Sequence, residues 1–429
     1  MNPYRTTISN IWSRSQSLYY ITQSMAAACL SEVSPSLTPI GRQLQDQAAL
    51  CLSVEARGPQ VETSSLLALV MLGMSRSWHD PENVGQPEFE ILARLISSSE
   101  SFQTNPNLAD KQRKFFFYNS LVYWQMLLAF VTDREPNLPG LVPSQPQLVQ
   151  PDGSELAEPR MPHPQTGIGI EVQTLVAKVG NLIRRERKRI RNRQFVSQGD
   201  IDQAKAAILD AEHLHSELCA IQLPGENAVV DSGDEMTPTD HLLKVAEAYR
   251  CTGLLQLYRN FPDLLSAYVL SDTLTDPFIN SSAPENGYSG TSAGSQNTYL
   301  TCLALHILDL IHDIPVSSRS RSIQPLLFVS ICSELALGRG GASFATLHKA
   351  PVASIASSPR YKDPLTDFEI LRARRFVISR LSSFQNILAA KPIARMLLLV
   401  KETWRCMEEG QNVYWMDVMM KKGYETLMG

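Results

Sequence analysis

VQTLVAKVGNLI, the stretch at residues 172–183, places an apolar side chain at every third or fourth position. The residues on this spacing are Val172, Leu175, Val176, Val179, Leu182 and Ile183. In an α-helix such side chains lie on one face, and the polar residues between them lie on the opposite face. The stretch therefore predicts an amphipathic helix that buries one side.

The same periodicity recurs on both sides of this helix. Residues 63–77 and 111–131 carry comparable apolar stripes. At residues 237–240 (TPTD) a threonine can cap a helix, a proline can take the first helical position and an aspartate favours the first turn. Residues 366–369 (TDFE) form a capping box. Because no convincing alternating run indicates a strand, the chain is predicted to be all-α.

The predicted architecture is a large multi-helix bundle or superhelical regulatory domain with long polar loops. The clearest loop, residues 134–167, contains eight prolines and cannot be a regular helix. Further polar loops are expected at residues 223–236, 275–296 and 338–364. No loop is followed by a change in composition, so residues 1–429 are predicted to form a single domain. A division into lobes 1–133 and 168–429 is the alternative.

The composition narrows the class of function. The 429 residues include 39 Lys and Arg against 43 Asp and Glu, a formal net charge of -4 at pH 7. This balance excludes a protein that holds nucleic acid through its overall charge. The seven cysteines form no C-x-x-C pair, so we expect reduced thiols rather than a zinc finger or a disulfide framework. The longest apolar runs fall far short of the ~20 residues of a membrane helix, so no membrane partner is expected.

Several short motifs occur in a fixed order along nearly the whole chain. They are residues 2–5 (NPYR), 77–81 (SWHDP) with Gly85, 121–128 (LVYWQMLL), 163–167 (HPQTG), 246–250 (AEAYR), 257–259 (LYR), Trp404, and 415–419 (WMDVM) before Gly423. In this order and spacing, the chain resembles the helical regulatory domain of fungal zinc-cluster transcription factors, in particular regulators of the acriflavine-sensitivity-control type.

The resemblance implies a regulator of transcription that is located in the nucleus and shuttles with the cytoplasm. It also implies that the helical domain acts through intramolecular contacts and through contacts with transcriptional co-regulators or related regulators. A homodimer and a bound small molecule are further expectations that come from the resemblance.

One part of the family pattern has no counterpart in this sequence. In that family a zinc cluster of six cysteines precedes the helical domain and contacts DNA, whereas Met1 stands where the helical domain begins. We therefore expect no cofactor in this chain, zinc only where an upstream cysteine cluster exists, and DNA contact only indirectly or through an N-terminal module. Two alternatives stay open: a stand-alone helical interaction module that modulates other regulators without binding DNA, and an all-α enzyme.

A basic run ends the helix that begins near Val172. Its seven positive side chains are Arg184, Arg185, Arg187, Lys188, Arg189, Arg191 and Arg193. The helix dipole favours cations at a helix C-terminus, so the run fits a solvated helix end. A nuclear-import signal and contact with a phosphate backbone are the other interpretations.

No set of residues converges on catalysis or metal binding. The G-x-S-x-G match at residues 290–294 follows a loop and not a strand, so it is not predicted to be a nucleophile elbow. His213 and His215 point in different directions on a helix, which disfavours a shared metal ion. We interpret His306, Asp309 and Asp313 as the solvent-facing side of one further amphipathic helix. The chain is therefore predicted not to be an enzyme and to have no catalytic, cofactor-binding or metal residues.

Two tryptophans stand near the C-terminus, Trp404 and Trp415. They lie about three helical turns apart, so both rings can face one side. We interpret them as anchors of the core. The alternative is a small-molecule pocket that they line together with Tyr249 or Tyr258.

Overall fold

The computed structural model describes residues 8, 10–56, 61–97, 108–134, 160–265, 291–338 and 365–429, with only the backbone described at 108–110 and 291–295. Within these ranges the chain is all-α, as predicted. Strand-type pairing among them amounts to two isolated bridges, Arg160 with Val229 and His163 with Gly167. Most of the proline-rich loop at 134–167, and most of the loops at 275–296 and 338–364, lie outside the described residues. The loop predicted at 275–296 is wrong at its C-terminal end, because residues 291–296 are helical.

The helices are α1 (Gln16–Leu30), α2 (Leu37–Glu55), α3 (Thr63–His79), α4 (Gln86–Ser97), α5 (Leu108–Val131), α6 (Ile170–Asn192), α7 (Gln198–Ala220), α8 (Thr239–Asn260), α9 (Thr291–His312), α10 (Pro325–Ser330), α11 (Asp367–Gln385), α12 (Ala390–Glu408) and α13 (Trp415–Lys422). Short 3₁₀ turns occur at Glu226–Ala228, Arg319–Ile323 and Cys332–Glu334.

Helix α5 lies at the centre of the fold. From Phe117 to Val131 nearly every side chain is buried, on all sides of the helix. A helix that is apolar all round must be covered all round. Helix α5 packs against α6, α4 and α3, and α6 in turn packs against α7 and α8. The amphipathic face predicted at residues 172–183 is the face that α6 buries.

The helices on both sides of the proline-rich loop share one apolar core. A continuous cluster of buried side chains extends from Leu18 in α1 to Met428 near the C-terminus. Helix α12 contacts α3, and Lys391 of α12 donates a hydrogen bond from Nζ to the carbonyl oxygen of His79 at 3.2 Å. The segments 1–133 and 168–429 therefore meet across a shared interior.

The two predicted helix starts have different outcomes. Thr366 caps α11, and the carboxylate of Glu369 accepts a hydrogen bond from the backbone N–H of Thr366, so the capping box is confirmed. At residues 237–240 the prediction is wrong in detail, because Pro238 is the N-cap and α8 begins at Thr239. The hydroxyl of Thr237 donates instead to Asp234 Oδ2 at 3.1 Å, which closes the turn that precedes the helix.

Among the residues that the structure describes, no helix combines the length and the apolar character required to cross a membrane. All seven cysteines lie in the described part of the chain, and all are free thiols, as expected.

Candidate functional site

The basic run lies at the C-terminal end of α6, and its first member is part of the interior. The side chain of Arg184 is only 8% exposed. Its Nε donates to Asp133 Oδ1 at 2.8 Å, and its Nη1 donates to the carbonyl oxygen of Phe130 at 3.0 Å. Lys188 Nζ donates to the second carboxylate oxygen of Asp133 at 2.7 Å. Burial raises the pKa of Asp133, but the hydrogen bonds from Lys188 and Arg184 outweigh it and lower the pKa below its ordinary value.

Arg187 connects α6 to the C-terminal part of the fold. Its Nε donates to Asn260 Oδ1 at 2.6 Å, at the end of α8. Its Nη1 donates to Asp417 Oδ2 in α13 at 3.0 Å. The guanidinium also lies 4.7 Å from the centre of the Tyr414 ring, a cation–π arrangement. Arg187 therefore holds three distant segments together.

The remaining members of the run differ in exposure. Arg189 forms an ion pair at 2.7 Å with Glu186, one turn earlier on the same helix. Arg185 is half exposed and pairs with an aspartate of α7. Arg191 and Arg193 are exposed, and they form no hydrogen bond or ion pair with the other described residues. The free positive charge of the run is thus concentrated on its last two arginines.

This arrangement changes the interpretation of the run. A solvated helix end describes Arg185, Arg191 and Arg193, but it is wrong for Arg184, which is buried and hydrogen bonded to α5. The reason is the packing of α6 on α5, which carries the beginning of the run into the core. The nuclear-import signal stays a prediction, and its exposed arginines are Arg185, Arg191 and Arg193.

A second cluster of polar contacts is buried around Trp415, whose side chain is 0% exposed. Its Nε1 donates to Gln256 Oε1 at 3.1 Å, and its backbone N–H donates to Ser333 Oγ at 2.7 Å. The hydroxyl of Tyr414 donates to the same oxygen of Gln256. Gln256 is the residue that sequence reasoning missed, although its polar side chain within the apolar stretch of α8 was a visible signal.

The interpretation of the tryptophans as core anchors is confirmed. Trp404 is buried and donates from Nε1 to a carbonyl oxygen of the turn at 332–334 at 2.9 Å. Tyr249 donates from its hydroxyl to the Ile323 carbonyl oxygen at 2.7 Å, and the Tyr258 hydroxyl bonds to His215 Nε2 at 2.8 Å. The polar atoms of these rings form hydrogen bonds within the fold.

The histidines in the described part of the chain belong to no metal-binding cluster. Among the described residues, no group of three His, Cys, Asp or Glu side chains could hold a metal ion. The placement of His306 on a wet helix face is wrong, because α9 packs on α8 and leaves only 7% of His306 exposed. Burial accordingly lowers the pKa of this imidazole. The side chain of Ser292, in the G-x-S-x-G match, lies outside the described residues.

His163 organises the turn at residues 163–167, and it does so as a neutral imidazole. Its Nδ1 accepts hydrogen bonds from the backbone N–H groups of Gln165 at 3.3 Å and Thr166 at 3.1 Å. The ring of Phe116 lies 4.7 Å away, centre to centre. Burial lowers the pKa of His163 to about 3. A protonated Nδ1 would no longer accept either bond, so the turn depends on the uncharged form.

This burial predicts a loss of stability in mild acid. The unfolded chain binds a proton at His163 below an imidazole pKa of about 6.5, whereas the folded chain does not until about pH 3. The contribution is fully present above about pH 6.5 and is lost as the pH falls towards 3, by up to ~1.4 kcal/mol per pH unit. The free energy of unfolding is measured with urea at pH 7.5, 6 and 5. In His163→Asn it should fall less steeply with decreasing pH than in the unsubstituted chain. If the free energy of unfolding depends on pH equally in the variant and in the unsubstituted chain, His163 is protonated in the folded chain.

Comparison with known proteins yields one match. The family model described as "Fungal specific transcription factor domain" matches residues 1–429. No curated protein matches the chain, and no solved structure does.

Proposed function

We propose, from the premise that the chain belongs to the family of fungal-specific transcription factor domains, that it is the regulatory domain of a zinc-cluster-type regulator of transcription. It acts in the nucleus and controls gene expression through contacts with transcriptional co-regulators or related regulators. It takes no cofactor of its own and catalyses no reaction. DNA is reached through another module or another protein.

The match over the full length of the chain is the observation that carries this proposal. The polar clusters described above support a role without catalysis, because their members bond to one another within the fold. The end of α6 supports a role in protein contacts. Beside the exposed Arg191 and Arg193 lie exposed apolar side chains, of which Phe195 is 83% exposed and Val196 65%. Exposed apolar side chains beside positive charge offer a surface for contact with a protein partner.

A reporter-gene assay tests the proposal by attaching the chain to DNA. The chain is fused to an unrelated DNA-binding module and placed upstream of a reporter gene in a fungal cell. We expect reporter expression to change several-fold, in either direction, relative to the module alone. Unchanged expression from a fusion that is folded and nuclear would contradict a direct control of transcription by this domain.

Nuclear import is tested with the exposed arginines of the run. We expect the triple variant R185A/R191A/R193A to be folded but retained in the cytoplasm when fused to a fluorescent tag, because these side chains are accessible to an import receptor. The matched control is the triple variant K205A/R372A/K401A, which removes three exposed positive charges outside the run. Nuclear accumulation of the triple variant equal to that of the unsubstituted chain would remove the import role.

The stand-alone interaction module is the second candidate, favoured by the pairing of most of the basic run with acidic groups of the same chain. Under this hypothesis the purified chain binds DNA weakly, without sequence preference and with a steep dependence on salt. A sequence-specific complex that survives physiological salt would rule it out. The reporter assay separates it from the first candidate, since a module that only modulates other regulators leaves the tethered reporter unchanged.

A further inference from the structure

A cavity of about 200 Å³ lies between α2, α3 and α4. Its walls are mainly aliphatic and consist of Leu52, Val61, Leu69, Leu72, Ile91 and Leu95. Ser53 also lines it and is exposed, which places an opening at the C-terminal end of α2. Apolar cavities of roughly 150 Å³ accept a molecule of the size of benzene. The space between these helices is therefore large enough for one small aromatic or branched aliphatic molecule.

Among the described residues that line the cavity, one polar side chain has an oxygen without a hydrogen-bond partner. Glu88 of α4 is 8% exposed, and its Oε1 accepts hydrogen bonds from Arg76 Nε at 3.0 Å and Nη2 at 2.7 Å. Its second oxygen, Oε2, is buried and has no hydrogen-bond partner in the part of the chain that the structure describes. The two hydroxyls that line the cavity are already used, since Ser65 donates to Glu55 at 2.6 Å and Ser53 donates to a backbone carbonyl at 2.8 Å.

An orphaned buried oxygen is costly, and each such group in a folded protein calls for an explanation. A bound molecule that supplies the missing donor would remove the cost. We propose that the cavity between α2, α3 and α4 is a binding site for a compact, mostly apolar molecule that carries one hydroxyl or N–H donor, which it directs at Glu88 Oε2. This site goes beyond the proposed function, which assigns the chain no ligand.

The walls and the carboxylate together define the class of ligand. Aliphatic walls offer no partners for the many polar groups of a sugar or a nucleotide, so such molecules lose their hydration without compensation. Glu88 Oε2 is an acceptor that needs a donor, and the ionised oxygens of phosphates and carboxylates can only accept, so these groups do not fit. Because Arg76 already neutralises that charge, an uncharged donor is sufficient. A small phenol or alcohol meets all three conditions.

The first part of the test compares phenol with toluene, which has the same number of heavy atoms but no donor. Dissociation constants are measured by NMR titration on the full chain and on Glu88→Gln. In the variant the amide oxygen must accept from Arg76, so the amide N–H₂ takes the place of Oε2 and cannot accept the phenol proton. We expect the affinity for phenol to fall about tenfold in the variant and that for toluene to stay the same.

The second part of the test locates the bound probe. Ala49→Phe fills the cavity from α2, and Ser53→Trp blocks its opening from an exposed position that tolerates a large side chain. Both should abolish binding of phenol and toluene. The matched control is Ala206→Phe on the exposed face of α7, which should bind both probes as the unsubstituted chain does.

Three results would overturn the proposal. Failure of the unsubstituted chain to bind phenol removes the site. Equal losses of phenol and toluene in Glu88→Gln remove the role of Oε2 and leave an oxygen that water satisfies. Binding that survives in folded Ser53→Trp places the probe elsewhere on the protein.

Discussion

Trp415→Ala should lower the free energy of unfolding by about 4 kcal/mol, the typical cost of deleting a large aromatic side chain from a core. The ring is completely buried, and its centre lies 5.9 Å from that of Phe130 in the central helix α5. The substitution removes these contacts and leaves an oxygen of Gln256 without the indole N–H. Because domains are stable by only about 5–15 kcal/mol, the variant should unfold well below the midpoint temperature of the unsubstituted chain. Urea and thermal unfolding measure both quantities.

The control for this prediction is Trp12→Ala. Trp12 is 39% exposed and stacks on Tyr19 with ring centres 5.5 Å apart. Its removal opens no closed cavity, so the cost should stay below ~1 kcal/mol. Similar losses in the two variants would mean that the C-terminal helix α13 contributes no more to stability than a surface contact does.

Gly85→Ala should be the second severe substitution, with a loss of roughly 3 kcal/mol. Gly85 has φ +71, a left-handed conformation that an alanine adopts only with strain. A Cβ at this position would also overlap the backbone carbonyl of Gly73 in α3. Backbone atoms inside a helix cannot move aside, so the turn that leads from α3 into α4 would have to open.

Gly410→Ala separates the conformational strain of a left-handed residue from the steric overlap with Gly73. Gly410 has φ +79, but an added Cβ would meet no atom within 4 Å. Only conformational strain applies there, and a loss of about 1 kcal/mol is expected. The difference between the two variants in denaturant unfolding measures the overlap with Gly73. Equal losses at both glycines would show that α3 and the turn do not approach as closely as the structure indicates.

Tests of the proposed function must take into account the contacts that hold the C-terminal segment in place. Arg187, Gln256 and Ser333 come from α6, α8 and the turn at 332–334, and all three bond to residues 414–417. Hydrogen bonds of this kind contribute to the stability of the fold. Variants of Arg187 should therefore be judged for stability before any effect on localisation is interpreted.

The amino-acid sequence by itself determines the positions of some helices and the point at which one of them begins. The apolar period at residues 172–183 predicts α6, and the capping box at Thr366 marks the start of α11 within one residue. Both depend on neighbours in sequence, because helix periodicity and capping involve residues three or four positions apart. The absence of strand patterns likewise indicates an all-α chain, and the order of short motifs indicates the family that the full-length match establishes.

Properties that depend on distant residues required the assembled fold. No spacing rule pairs Arg184 with Asp133, His215 with Tyr258 or Trp415 with Gln256, because these partners are separated by long stretches of chain. Apolar periodicity alone predicts a solvent-facing position for His306, but the packing of a neighbouring helix buries its side chain. The cavity beside Glu88 follows from the same physics: whether three helices close completely depends on how their side chains fill the space between them, and that is a property of packing rather than of pattern.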